Sequence, residues 1–534
     1  MNRRTLLTSA AAALAVSRVS AGAPSKAQFD LAEVTIDDLA QRMASGHDSA
    51  VSLVHKYSAR IQALDKSGPH VNSVIEMNPD AERIASELDK ERKSRGARGP
   101  LHGIPVLLKD NIDTADKMST SAGSLALVGS PASRDAFIAE RLRASGAVIL
   151  GKSNLSEWAN FRSSHSVSGW SGRGGQTRNP FALDRNPCGS SSGSGAAVSA
   201  NFCAGAIGTE TDGSIVCPSS INGIVGVKPT VGLLSRSGII PISHSQDTPG
   251  PMTRTVRDSA ILLTALAGVD PRDPATNDST GKSAVDYTTF LDSAGLKGAR
   301  LGIALNFMGK SAAADHVFNE AVAEMKKAGA EIVDLLDLAA KDVDDPENEV
   351  LLYEFRTDLN AYLASRQPAL AVGTLGDVIA FNEKNKDREM PWFAQNIMIE
   401  AEAKGPLTDK AYLEALKKSR KASRENGIDA AVAKFRLDAI IAPTSGPSWL
   451  IDWVNGDHYT GGCSTLAAVA GYPHITVPAG FVHGLPIGMS FFGSAWSEPK
   501  LFKLAYAFEQ TTKARREPQF HLTLPLPAPH GARP

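Results

Sequence analysis

Cysteine is scarce: four residues in a chain of 534, at Cys188, Cys203, Cys217 and Cys463. That number excludes the disulfide-dense class of small secreted scaffolds. Three of the four fall in an apolar, glycine-rich stretch, where free buried thiols are the default; a disulfide is compatible with an exported protein, but the spacing specifies no pair, so whether any cysteines pair stays open. No histidine–cysteine grouping has the spacing of a metal site. Neither sign of charge is in excess; 56 Lys and Arg against 57 Asp and Glu leave a formal net charge of -1. A nucleic-acid partner or an acidic membrane surface therefore has no electrostatic footprint here. No apolar run reaches the roughly 20 residues of a membrane span, so stable membrane insertion is not expected. What remains, 42% hydrophobic and 21% charged residues, is the composition of an ordinary globular protein. Oligomeric state leaves no signature in it.

The N-terminus reads as an address rather than as fold. Asn2-Arg3-Arg4-Thr5-Leu6-Leu7 is a twin-arginine start, Ala10–Val16 is a short apolar run, and Val19-Ser20-Ala21 supplies small residues for cleavage. Residues 1–23 are expected to be an export signal, which places the mature protein in the periplasm or outside the cell.

Further on, Thr35-Ile36-Asp37-Asp38 has the form of a capping box, and Ile36, Leu39 and Met43 follow at helical spacing. Ser49–Leu64 repeats the pattern. Val71–Met77 reads as a strand, and Asn78 with Pro79 opens a charged helix to about Lys93. Gly103–Asn111 contains a buried strand that ends on Lys109, a lysine that serves either as an ion-pair partner or as a functional group. Gly146–Ser153 matches a phosphate-binding pattern, but its four middle residues want to be a strand, so no nucleotide site is expected. Alternation of strand, helix and strand over Leu301–Val333 marks an α/β layer. Asp345–Arg366 and Lys386–Lys421 read as mostly helical. Ala439–Ala442, Ile475–Pro478 and Ile487–Phe491 read as strands, and Lys500–Gln510 as a closing helix.

The stretch around which everything is organised is Pro187–Ser220, PCGSSSGSGAAVSANFCAGAIGTETDGSIVCPSS. Two polar knots, Gly189–Gly193 and Thr209–Ser214, enclose the small-residue apolar run Ala196–Ile207, read as turn, buried helix, turn. Glycine- and serine-rich sequence is commonly linker, but a linker does not enclose a hydrophobic run and lead into another at Ile221–Val227. Three chemistries fit. Gly189-Ser190-Ser191-Ser192-Gly193 matches a nucleophile elbow centred on Ser191; yet Asp184–Cys188 is turn-like where a strand is needed, and none of His244, His458, His474 and His483 is singled out as its base. A serine with a lysine base needs an amine stripped of its charge by burial, which Lys109 could supply. Glycine loops could also simply hold an anion.

Gly103–Asp113 together with Cys188–Thr230 resembles the amidase signature family, and the likeness extends to Gly146–Glu157 and Gly471–Phe491. The resemblance implies a single large α/β domain, residues 24–534, with a central mixed β-sheet covered by helices. Within it, 24–100 is expected to be a helical collar, 101–260 the catalytic core and 340–430 a helical insert that shapes the substrate site. It implies a Ser–cis-Ser–Lys triad with Ser214 as nucleophile, Ser190 as bridging serine and Lys109 as base. Backbone N–H groups of Thr211, Asp212, Gly213 and Ser214 would form the oxyanion hole. Ser191 would support Lys109 or Ser190 by hydrogen bonding. No metal and no cofactor is implied.

The implied activity is hydrolysis of carboxamides to acid and ammonia. The segment Gly208–Arg254 is especially similar to bacterial peptide amidases, so peptide C-terminal amides are the expected substrates; an aryl or short aliphatic acid amide hydrolase and a non-catalytic amide-binding protein are the alternatives. Cys188, Ser192, Asp212 and Val216 depart from the family's usual residues around the triad.

Overall fold

The computed structural model describes residues 29–335, 338, 343–366, 368 and 370–524; the expected export signal lies outside them. Its centre is an eleven-stranded mixed sheet. In chain order the strands are β1 (Val74–Met77), β2 (Pro105–Lys109), β3 (Val148–Ser153), the small separate pair β4 (Trp170–Ser171) and β5 (Gly175–Gln176), β6 (Gly205–Glu210), β7 (Val225–Lys228), β8 (Thr248–Thr253), β9 (Arg300–Ala304), β10 (Glu331–Leu335), β11 (Ala439–Pro443), β12 (His474–Val482) and β13 (Leu485–Phe492). Across the sheet they run β1-β3-β2-β6-β8-β7-β12-β13-β11-β9-β10. The triplet β3-β2-β6 is parallel, as is β11-β9-β10, and the strands between them are antiparallel.

Continuous apolar runs make the inner strands because helices cover both faces. Every residue of β2, β3 and β6 is buried. Truncating Leu107 or Ile207 to alanine there would cost about 2–5 kcal/mol. The helix Ala312–Lys327 crosses between the parallel β9 and β10, the α/β unit read from the sequence. Thr35 and Ser49 each cap a helix, Ile36–Ala44 and Ala50–Arg60, through full capping boxes. The charged helix begins at Ala81 rather than at Pro79, because the Asn78 side chain accepts from the Asp80 N–H and holds a turn first. Helices from Asp344 to Phe435 form a layer with its own apolar cluster, including Leu352, Phe355, Leu359 and Val378. No helix among the described residues is long and apolar enough to cross a membrane.

Two readings change. The expected helix over Ala196–Ile207 is instead a helix at Ser192–Ser199 followed by β6 from Gly205. The small residues serve close approach: a Cβ on Gly193 would meet the backbone oxygens of Ser73 and Asn154 at 2.2 and 2.4 Å. β8, read TPGPMT, went unnoticed because two prolines argue against a strand. It nonetheless pairs with β6 along its whole length.

Candidate active site

The site assembles where β2 and β6 end side by side. Their parallel register sets Leu108 opposite Ile207, so Lys109, the last residue of β2, falls level with Gly208 and its side chain reaches Thr209, one residue further on. Lys109 has no solvent exposure. Its Nζ lies 2.8 Å from Ser190 Oγ, 2.9 Å from Thr209 Oγ1 and 3.1 Å from the Thr209 carbonyl oxygen. No carboxylate touches it. Burial pushes its pKa down to about 7, and the more distant Asp247 and Glu210 oppose that shift only in part. An amine in this state is half neutral near pH 7 and can accept a proton.

Ser190 is fully buried and follows a cis Gly189–Ser190 peptide. Its carbonyl accepts from Ser156 N–H at 3.1 Å, Ser192 Oγ donates to the Cys188 carbonyl at 2.6 Å, and Gly193 N–H donates to the Asn154 carbonyl at 2.9 Å. Ser191 contacts neither Lys109 nor Ser190 by hydrogen bond. Its hydroxyl donates to the Thr209 carbonyl at 3.1 Å and accepts from the Thr209 N–H at 3.2 Å. The direct support expected of Ser191 is therefore corrected: it braces the β6 backbone whose Thr209 holds Lys109.

The second knot is pinned by carboxylates. Glu210 closes β6, and its Oε2 accepts from the N–H groups of Ile215 at 2.7 Å and Val216 at 3.0 Å, at the start of the helix Val216–Ile221. A carboxylate there satisfies N–H groups that the helix leaves free. Thr211 Oγ1 donates to Asp247 Oδ1 at 2.5 Å, and Asp212 Oδ2 accepts from Thr465 Oγ1 at 2.8 Å. Gly213 adopts φ 76°, a conformation costly for other residues, and the Ser464 hydroxyl fills the space a Cβ would take. Among the described residues, the N–H groups of Asp212, Gly213 and Ser214 donate to no protein acceptor, so they stay available to a ligand oxygen. Ser191 N–H donates to the Ser214 carbonyl at 3.1 Å and ties the two knots together.

Thr211, Asp212, Gly213 and Ser214 all line one cavity of about 790 Å³. Ser214 is 8% exposed. Phe161, Phe307, Leu351, Trp449 and Tyr459 supply its apolar walls. A second cavity of about 390 Å³ adjoins it across Ala159, Thr211 and Ile242, and Asn111 and Thr209 line its inner part.

The elbow reading of Ser191 fails as the sequence context suggested, since no strand leads into it. The histidines lie elsewhere. His474 is buried against Ser490 and held neutral, its pKa pushed down to about 3 by burial. His244 pairs with Asp358 and Glu354. Those three side chains could offer atoms to a metal ion, but Glu354 already accepts from Ser243, Ser245 and Tyr412. In the phosphate-loop lookalike, Val148–Ser153 is β3, and Lys152 is buried against Thr120 and the Ile112 carbonyl.

The pairing of cysteines, left open by the sequence, is resolved for one pair. Cys188 and Cys217 are not free thiols; they form a disulfide, with Cα atoms 6.0 Å apart. Nothing in their spacing signals it, because the pairing depends on how the two knots fold together. Four residues of the site also escaped sequence reasoning: Asn111, Thr209, Glu210 and Asp247. For Glu210 the signal was present, an acidic side chain just before a turn and a helix start. Asp247 carried none.

Comparison with known proteins is consistent across the chain. A family model described as Amidase matches residues 52–502. A protein described as a probable amidase, from Arabidopsis thaliana, is 43% identical over 504 residues, covering 92% of each chain. The solved peptide amidase of Stenotrophomonas maltophilia is similar at 50% identity and TM-score 0.87, covering 92% of this chain and 99% of its own. A structure of a peptide amidase in complex with the competitive inhibitor chymostatin matches at 51% identity, TM-score 0.88 and the same coverage.

Proposed function

Since this chain belongs to the amidase signature family, we propose that it is a serine amidohydrolase that cleaves peptide C-terminal amides to the free acid and ammonia, with Ser214, Ser190 and Lys109 as its relay. The observation that carries this reading is the 2.8 Å contact between a fully buried Lys109 Nζ and Ser190 Oγ. In the proposed reaction neutral Lys109 takes the Ser190 proton as Ser190 takes that of Ser214, and Ser214 Oγ attacks the amide carbonyl. The N–H groups of Thr211, Asp212, Gly213 and Ser214 hold the oxyanion, and the Thr211 side chain fixes their loop through Asp247. Ser190 then passes a proton to the departing ammonia, Lys109 replenishes it, and water hydrolyses the acyl-serine by the same relay.

The peptide preference rests on the cavity and on the neighbours. About 790 Å³ with five large apolar walls exceeds what a short aliphatic amide fills, and two solved neighbours are peptide amidases. The helical layer after Asp344 is proposed to shape this pocket through Asp344 and Leu351, which line it. Export to the periplasm or beyond is proposed with it: the twin-arginine start and a disulfide, a bond that persists in oxidising compartments, point the same way.

The test is ammonia release from a panel of peptide amides, benzamides and short aliphatic amides. Peptide amides should give the highest kcat/KM. A preference for benzamides would shift the reading to an aryl acid amide hydrolase, and binding of amides without ammonia release would reduce the protein to an amide-binding one.

A further inference from the structure

The disulfide joins the two halves of the proposed relay. Cys188 stands immediately before Gly189–Ser190, and Cys217 lies in the first turn of the helix that follows Ser214. Both line the main cavity. Each cysteine is also fixed locally: Cys188 N–H donates to Asn186 Oδ1 at 2.8 Å, and Cys217 N–H donates to the Gly213 carbonyl at 2.8 Å. The bridge packs against Ile221 and Trp449, so it also supports the loop that carries an apolar wall of the cavity. Besides the bridge, hydrogen bonds from Ser191 to Ser214 and from Asn222 to the Pro187 carbonyl connect the same two segments. Those bonds are noncovalent and weak singly.

The other two cysteines take no part. Cys203 and Cys463 are buried, and burial pushes both thiols up to about 12, which leaves almost no thiolate for exchange. Redox chemistry at this site is therefore confined to one pair that faces the cavity.

We infer that Cys188 and Cys217 are a positioning pair for the Ser190–Ser214 relay, and that turnover requires their bridge to be oxidised. The inference rests on the proposed amidase reaction. Ser190 Oγ is hydrogen-bonded to Lys109 Nζ, and among the described residues no hydrogen bond joins it to Ser214 Oγ, so proton transfer depends on how the two segments hold the serines towards each other; displacement by about 1 Å costs on the order of 100-fold in rate. Reduction by a small dithiol breaks the S–S bond: two electrons and two protons pass to the cysteines, and the dithiol closes to its cyclic disulfide. Nothing then holds Ser190 covalently to the Ser214 helix.

The experiment compares oxidised protein, dithiothreitol-reduced protein and the double variant C188A/C217A. Denatured thiol counts should be two in the first, from Cys203 and Cys463, and four in the second. Circular dichroism at the assay temperature checks that all three are folded. The expected result is a kcat lower by about 10- to 100-fold in the reduced and double-variant forms, with KM changed far less. Reoxidation should restore the wild-type rate, and the double variant should ignore dithiol. A merely structural bridge would lower the melting temperature and leave kcat intact below it. A folded, four-thiol protein with kcat within twofold of the oxidised form overturns the inference. If the double variant does not fold, the reduced protein decides; if the bridge resists reduction, the double variant decides. An oxidised protein that releases no ammonia from any amide would instead defeat the amidase reading on which the inference stands.

Discussion

Asn111 Nδ2 donates to Thr209 Oγ1 across 3.0 Å, and Lys109 Nζ donates to the same oxygen at 2.9 Å. The two donors occupy both lone pairs of that hydroxyl. The Thr209 carbonyl takes the second hydrogen of a neutral lysine at 3.1 Å. The lone pair left over faces Ser190 Oγ, the direction a base needs. Thr209→Val keeps the shape and removes the acceptor. Kcat should fall about tenfold or more, since an unmatched buried hydrogen bond costs about 1–3 kcal/mol. KM should hold, and Thr209→Ser should restore most of the rate. Steady-state kinetics on a peptide amide read both.

Activity should rise with pH through the pKa of Lys109, about 7, because only the neutral amine accepts a proton. Of the two carboxylates that oppose the shift, Asp247 has the larger effect: its negative charge favours the ammonium form. Asp247→Asn removes that charge and should move the acid limb of the kcat profile to lower pH, while a weaker hold on Thr211 lowers the plateau. A limb that stays in place or moves up contradicts the assignment of Lys109 as the titrating group.

Glu210 binds the N–H groups of Ile215 and Val216 just after Ser214. Glu210→Ala removes the acceptor that both N–H groups share. Stability should fall by about 1–3 kcal/mol, seen as a lower melting temperature, and kcat should fall with it because the Ser214 loop loses its anchor.

Trp449 walls the main cavity, and its Nε1 donates to Asp457 at 3.0 Å. Trp449→Ala should raise KM for peptide amides by about 5- to 100-fold, as expected for about 1–3 kcal/mol of lost apolar contact, and leave acetamide turnover nearly unchanged. Equal losses on large and small amides would show that the tryptophan supports the loop rather than the substrate.

Much of this site was legible because its parts are local. A buried strand ending on lysine and two glycine-flanked serine knots are each visible in a few residues, and their resemblance to a family joins them. The capping box at Thr35 was readable for the same reason, whereas the one at Ser49 closes on Ser52 instead of the usual acid and carried no such signal. What escaped depends on contacts between distant segments. Thr209 holds Lys109 only because β2 and β6 run parallel in register; Asp247 reaches Thr211 only because β8 returns along β6. Cys188 meets Cys217 only once both knots are folded. The start of the helix at Ser192 was misplaced because Gly193 and Gly195 are poor helix formers, and only the close backbones of Ser73 and Asn154 account for Gly193.

The relay can be tested most directly by the rate at which a serine-directed fluorophosphonate attaches to the protein as pH is varied, with the modified residue mapped by peptide mass. The account predicts one label on Ser214, a rate that climbs through a midpoint near the Lys109 pKa of about 7, and slow, pH-independent labelling in Lys109→Ala. A label on another residue, or an undiminished rate in Lys109→Ala, would contradict it.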